Sequence, residues 1–225
     1  MEELARLVEA VDADGAIEVR WIVEPDARAR AGRVGLLPGS FNPPTDAHLA
    51  LAAAGRAAGL DSVVYLLAKR TVDKERLTGL RLEERLALLG DLARPSGDAV
   101  AFVNRGLYVD QARAIRGALP EATELVFLVG HDKIVQIFDR RYYTDRDAAL
   151  RELFALSSFL VAPRAEAGAD QLRDLLAEPA NRPFADRVRP LPLAERYRDV
   201  SSTRARAGQQ SELPAIVRAY LAGER

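Results

Sequence analysis

At 225 residues, 48% of them hydrophobic, the chain is long enough for one large α/β domain and too apolar for disorder. Its 32 basic and 33 acidic residues leave a net charge of −1, which gives no footprint for nucleic acid or a membrane surface. Cysteine is absent, so disulfides, thiolate metal sites and a cysteine nucleophile are excluded, and no apolar run of roughly 18 residues marks a membrane span.

The first residues, MEELARLVEAVDADG, are acidic and amphipathic. They lack the basic start and apolar core of a signal peptide, and with the missing cysteine they point to a cytoplasmic protein. Residues 1–32 read as a leader: a helix, an acidic turn and a strand at 16–23. The leader either covers a sheet edge or supports a homo-oligomer. Residues 33–225 form the main domain. There, apolar runs of strand length at 34–37, 62–67, 99–103, 124–129, 159–162 and 187–191 alternate with helical segments. The helices fall at 47–58, 80–93, 109–119, 133–138, 147–156 and 170–177. Two more, at 203–208 and 214–222, make a small helical part at the end. Residues 164–168 and 209–212 read as exposed loops. Apolar strands separated by helices argue for a doubly wound, Rossmann-like parallel sheet with helices on both faces.

Ligands of such sheets bind beyond the carboxyl ends of the strands. Three stretches fall there. The first is GSFNPPTDAH, residues 39–48, a turn that leads into a helix. Gly39 permits close backbone approach, Ser40 and Asn42 offer polar groups, Thr45 or Asp46 caps the helix, and His48 lies in its first turn. Helix openings attract phosphate, and a histidine there can donate to a phosphate oxygen. The plain alternative is a well-capped helix start. The second is DVSSTRAR, residues 199–206, where three hydroxyls and two arginines crowd one helix opening. Its alternative is an ordinary N-cap with solvated arginines. The third is FLVGHDK, residues 127–133, which sets Asp132 at a strand end, where a carboxylate can accept from ribose hydroxyls or simply cap the next helix. His131 has no clear role. No P-loop, dinucleotide fingerprint, zinc-protease motif or nucleophile elbow occurs, and two histidines without cysteine argue against a zinc site.

Together these stretches resemble the nucleotidylyltransferase superfamily, and within it the nicotinamide/nicotinate mononucleotide adenylyltransferases. Residues 39–49 look like its G-[ST]-F-[ND]-P-x-[TH]-x-x-H-L signature, 200–206 like I-S-S-T-x-x-R, and Gly130-His131-Asp132 like its G-x-D element. The segment VDKERLTGLRLEERLALL resembles the lysine-containing stretch before an R-x-x-M/L helix, and GLYVDQARAI resembles the Y-T-V-D-T-L segment. Thr45 stands where many bacterial members carry histidine, as in the eukaryotic type. Small polar residues near the pyridine pocket are replaced by Leu107, Tyr108 and Val109, and the usual tryptophans are missing.

The resemblance implies adenylyl transfer from ATP to a mononucleotide phosphate, with Mg²⁺ accompanying ATP. It implies that His48 and Thr45 meet the α-phosphate or departing pyrophosphate. Ser201, Ser202, Thr203 and Arg206 would hold the β and γ phosphates, and Gly130 and Asp132 the adenosine ribose. Gly39, Ser40 and Phe41 belong to the phosphate turn. Lys74 is a phosphate ligand on a loop, or a solvated lysine. Tyr108 lies near the acceptor pocket, where Tyr142 or Tyr143 would stack in place of tryptophan. Transfer to another phosphate acceptor, such as a pantetheine or flavin phosphate, remains an alternative, as does a nucleotide-binding protein without catalysis.

Overall fold

The computed structural model describes residues 1–70, 79–163, 168–197, 202–206 and 210–224. Within them a leading helix α1 (Glu2–Ala10), strand β1 (Val19–Val23) and short helix α2 (Ala27–Ala31) precede a winding of strands and helices. The order runs β2 (Arg33–Pro38), α3 (Asp46–Ala57), β3 (Ser62–Ala68), α4 (Leu82–Ala93), β4 (Ala99–Val103), α5 (Tyr108–Ala118) and β5 (Glu124–Gly130). It continues with α6 (His131–Phe138), α7 (Arg146–Leu156), β6 (Ser158–Ala162), α8 (Gly168–Ala177), β7 (Val188–Pro190), α9 (Ser202–Arg206) and α10 (Ala215–Leu221).

The strands make one seven-stranded sheet in the order β1-β4-β3-β2-β5-β6-β7. From β2 to β7 all neighbours are parallel, and β1 alone runs antiparallel, against β4. The leader therefore extends the sheet of the same chain. Its fastening is polar as well. The Lys69 ammonium, at the carboxyl end of β3, donates to the carbonyls of Val8 and Val11 at the end of α1. Asn104 bonds the carbonyls of Asp12 and Ala16 and the amide of Glu18.

Side-chain alternation explains why both faces are covered. In β3, Val64 and Leu66 enter one apolar cluster while Val63, Tyr65 and Leu67 enter the other. In β4, Ala99, Ala101 and Val103 divide from Val100 and Phe102 in the same way. A continuous apolar strand has no side to give to water, so it needs helices above and below. Helices α5, α6 and α7 supply one layer; α1, α3 and α4 supply the other. A third, smaller cluster joins Leu80 and Leu88 to Ala205, Leu213 and Val217, so that α9 and α10 sit on the back of α4.

Two details depart from the expected elements. The stretch read as an exposed loop at 209–212 contains a short 3₁₀ turn at Gln210–Glu212, and Gly168, at the end of the other expected loop, already opens α8. Helix α2 was not expected at all: its alternating ARARA pattern has no helical period, and it is held by the Asp26 carboxylate accepting from the Ala29 amide at 3.0 Å.

Candidate functional site

The order of winding reverses at β2. From it the chain steps through β3 to β4 on one side, then returns to β5 and steps through β6 to β7 on the other. The two strands flanking this switch, β2 and β5, are direct neighbours, with Leu36 opposite Phe127. Their carboxyl ends carry Gly39 and Gly130, so the first and third sequence stretches flank the crevice where open α/β sheets take ligands.

The turn after β2 is built around an aromatic ring. Phe41 is completely buried and adopts a left-handed backbone with φ of 45°, a strained position for a bulky side chain. Its ring lies 6.0 Å from that of Tyr65 and 4.8 Å from the imidazole of His48. Gly39 is required because a Cβ there would stand 2.9 Å from the Phe41 ring. The Gly39 amide still reaches the Leu66 carbonyl, which ties the turn to β3.

Helix α3 then starts with Thr45 as its N-cap. The Thr45 amide donates to Nδ1 of His48 at 3.0 Å, and the Thr45 hydroxyl lies 2.8 Å from the same nitrogen. An amide can only donate, so Nδ1 is the acceptor and the proton of the neutral ring sits on Nε2. The half-buried imidazole thus presents an N–H donor from the helix opening. Desolvation lowers its pKa from 6.5 to about 4, which keeps it neutral in the absence of an anion. Thr45 itself is completely buried, and its hydroxyl faces His48.

The second stretch docks on this turn. Ser202 Oγ donates to the Pro43 carbonyl at 2.8 Å, across 159 positions of sequence, and Arg206 donates to the Asn42 carbonyl. Two backbone carbonyls of the turn are thereby engaged, and an exposed guanidinium is held beside His48's turn. Thr203 belongs to α9, though its side chain lies outside the described residues, as do Ser201 and Lys74 altogether.

On the other wall, Gly130 caps α6 and Asp132 stands exposed in its first turn. His131 Nδ1 is buried without a hydrogen-bond partner. The tyrosines separate. Tyr108 places its ring 5.1 Å from Phe127 and 6.3 Å from Phe159, against the apolar layer. Tyr142 lies under the Arg141 guanidinium at 4.9 Å, and Tyr143 donates to the Ile137 carbonyl.

Arg85 was missed as a site residue, although it opens the R-x-x-L pattern of α4. It is only 3% exposed and reaches the Ser40 carbonyl. Among the described residues no cluster of three or more histidines or carboxylates could hold a metal ion, and no helix is long and apolar enough to cross a membrane. The donors around the turn are cationic or neutral, a set that suits an anion.

Known proteins share this sequence pattern and fold. A probable nicotinate-nucleotide adenylyltransferase of Gloeobacter violaceus is 28% identical over 203 residues, covering 84% of this chain and 93% of that protein. A second, from Trichlorobacter lovleyi, is 32% identical over 60% of this chain and 62% of its own length. The fold is shared with the Plasmodium falciparum nicotinic acid mononucleotide adenylyltransferase complexed with NaAD, at a TM-score of 0.52 and 16% identity over 78% of this chain and 83% of that one. The cytidylyltransferase-like family model matches residues 36–208, a span that holds all three stretches, and the chain belongs to that family of the nucleotidylyltransferase superfamily.

Proposed function

We propose that the protein transfers the adenylyl group of ATP to the phosphate of nicotinate or nicotinamide mononucleotide, forming the dinucleotide and pyrophosphate. The observation that carries this reading is the docking of α9 onto the turn before α3. Ser202 and Arg206 bond the carbonyls of Pro43 and Asn42, so the hydroxyl-rich opening and the His48 turn share one wall of the crevice. The names of the relatives supply the choice of substrate class.

An oxygen of the acceptor phosphate attacks the α-phosphorus of ATP in line, and the bond to the bridging oxygen breaks as pyrophosphate leaves. The acceptor phosphate, with a second pKa near about 6, is already mostly dianionic at neutral pH, so no general base is needed. The obstacles are repulsion between anions and alignment, which positioned donors relieve. His48 Nε2–H donates to the α-phosphate or the departing pyrophosphate, and Thr45 acts through it by fixing the tautomer. Arg206, with Ser201, Ser202, Thr203 and Lys74, holds the β and γ phosphates. The backbone of Gly39, Ser40 and Phe41 lines the turn. Gly130 and Asp132 take the ribose, and Tyr108 and Tyr142 border the acceptor. Mg²⁺ arrives as part of the ATP substrate, held by phosphate oxygens and water.

The test is pyrophosphate release and dinucleotide formation with a panel of acceptors. Product with either pyridine mononucleotide supports the reading. Product only with pantetheine or flavin phosphate overturns the acceptor, and no pyrophosphate release with any acceptor overturns the enzyme.

A further inference from the structure

Arg85 is a cation in the wrong place for a surface helix. Its side chain is buried, and among the described residues it forms no ion pair with a carboxylate. The two acidic residues before it are engaged elsewhere: Glu83 pairs with Arg81, and Glu84 accepts from Arg81 and from the Tyr220 hydroxyl. A guanidinium does not deprotonate, and a buried charge is costly unless something compensates it. Here the partners are neutral: Nε donates to the Leu80 carbonyl at 2.7 Å, Nη2 to the same oxygen, and Nη1 to the Ser40 carbonyl at 3.4 Å.

Those carbonyls belong to two pieces of the site. Ser40 lies in the His48 turn. Leu80 ends the segment that carries Lys74, and its amide is held by the buried Asn42 side chain at 2.9 Å. Gly79 passes so close that a Cβ would stand 2.6 Å from Asn42 Oδ1, and its φ of +116° suits glycine alone. Desolvation and the nearby Arg206 guanidinium both disfavour the charge on Arg85. Glu84 and Glu83 offset this only in part, and the two guanidiniums, Arg85 and Arg206, reach the carbonyls of Ser40 and Asn42 in one turn.

We propose that Arg85 is a positioning residue for the polyphosphate: it clasps the Gly79–Leu80 strap to the Ser40–Asn42 turn and supplies, from beneath, a positive charge that the bound phosphates neutralise. This deepens the adenylyl-transfer reading and rests on it.

The experiment measures equilibrium binding of pyrophosphate and of adenosine, each to wild type, R85Q and R85K, with unfolding curves as a control. R85Q keeps a donor and loses the charge; R85K keeps the charge. A charge-assisted contribution is expected to weaken pyrophosphate by about tenfold or more in R85Q. Adenosine should stay within about twofold, and R85K should hold pyrophosphate within about threefold of wild type. Unchanged pyrophosphate binding in R85Q, or an equal loss for both ligands, overturns the proposal. Should R85Q fail to fold, R85K carries the test: a loss of pyrophosphate beyond about tenfold shows a purely geometric role and overturns the charge argument. Wild-type protein that takes neither pyrophosphate nor ATP overturns the adenylyl-transfer reading itself, whereas binding wild type with an indifferent R85Q overturns this proposal alone.

Discussion

Replacing His48 with alanine separates chemistry from folding. To the fold, the imidazole contributes its bond from the Thr45 amide and its contact with the Phe41 ring. A helix-capping interaction is worth about 1 kcal/mol and an aromatic contact about the same, so the loss is about 2 kcal/mol. In a domain of this size that lowers Tm by about 4–8 °C. In the proposed reaction, the ring contributes one preorganised donor where charge develops. Loss of such a donor costs about 10²–10³ in kcat, or about 2.7–4 kcal/mol of transition-state stabilisation. The assay is initial pyrophosphate release at saturating ATP and acceptor, run beside thermal unfolding. His48→Ala should remain folded at assay temperature and fall by those two to three decades. His48→Gln, whose amide nitrogen can stand near the Nε2 position, should recover part of the rate. A folded His48→Ala enzyme within a few-fold of wild-type turnover would refute the donor role.

The pH dependence of stability follows from the same residue. Unfolding returns His48 from about 4 to its ordinary 6.5, so between those values the unfolded chain binds the extra proton and stability falls as pH falls. Tm measured from pH 4 to 7 should therefore drop less steeply in His48→Gln than in wild type; matching slopes contradict the assignment. Gly39→Ala pushes a methyl group to 2.9 Å from the Phe41 ring. It should cost about 1–3 kcal/mol of stability by overpacking and lower kcat through the displaced imidazole; unchanged kcat would show that Phe41 does not seat His48. Arg56→Met strips the ion partner from Asp98, which is 2% exposed and otherwise holds the Val63 amide. An uncompensated buried carboxylate costs about 3–5 kcal/mol, or about 6–20 °C in Tm, with Asp98→Asn in the same background restoring part of it. A shift below about 2 °C argues against a buried pair.

Much of this molecule can be read in its amino-acid order because the central strands are apolar on both faces. Runs such as VVYLLA and LVFLV admit few other structures. What escapes is decided by tertiary contact. The leader's place beside β4 is fastened by Asn104 and Lys69, more than eighty and nearly sixty positions from the leader groups they hold. Arg85 follows two glutamates on a helix, a pattern that reads as a solvated face, yet it is buried and bonded to the carbonyls of Leu80 and Ser40. Thr45 was legible as a helix cap, and what the sequence does not show is its hydroxyl lying 2.8 Å from Nδ1 of His48.

The most consequential gap concerns how α9 reaches the turn. Holding Ser202 against Pro43 closes a loop of 159 residues. Closure entropy grows only with the logarithm of length, so a tenfold longer loop costs about 2 kcal/mol more. One hydroxyl–carbonyl bond, worth about 1 kcal/mol, does not offset that. The apolar cluster behind α4 does: Leu213 and Val217 are wholly buried there, and each such side chain contributes about 1.5–3 kcal/mol. Ser202 and Arg206, proposed to hold phosphate, are therefore kept in register by contacts on the far side of α4 that carry no polar signature. A substitution such as Leu213→Ala, remote from any substrate, should then loosen α9 and weaken polyphosphate binding before it unfolds the sheet.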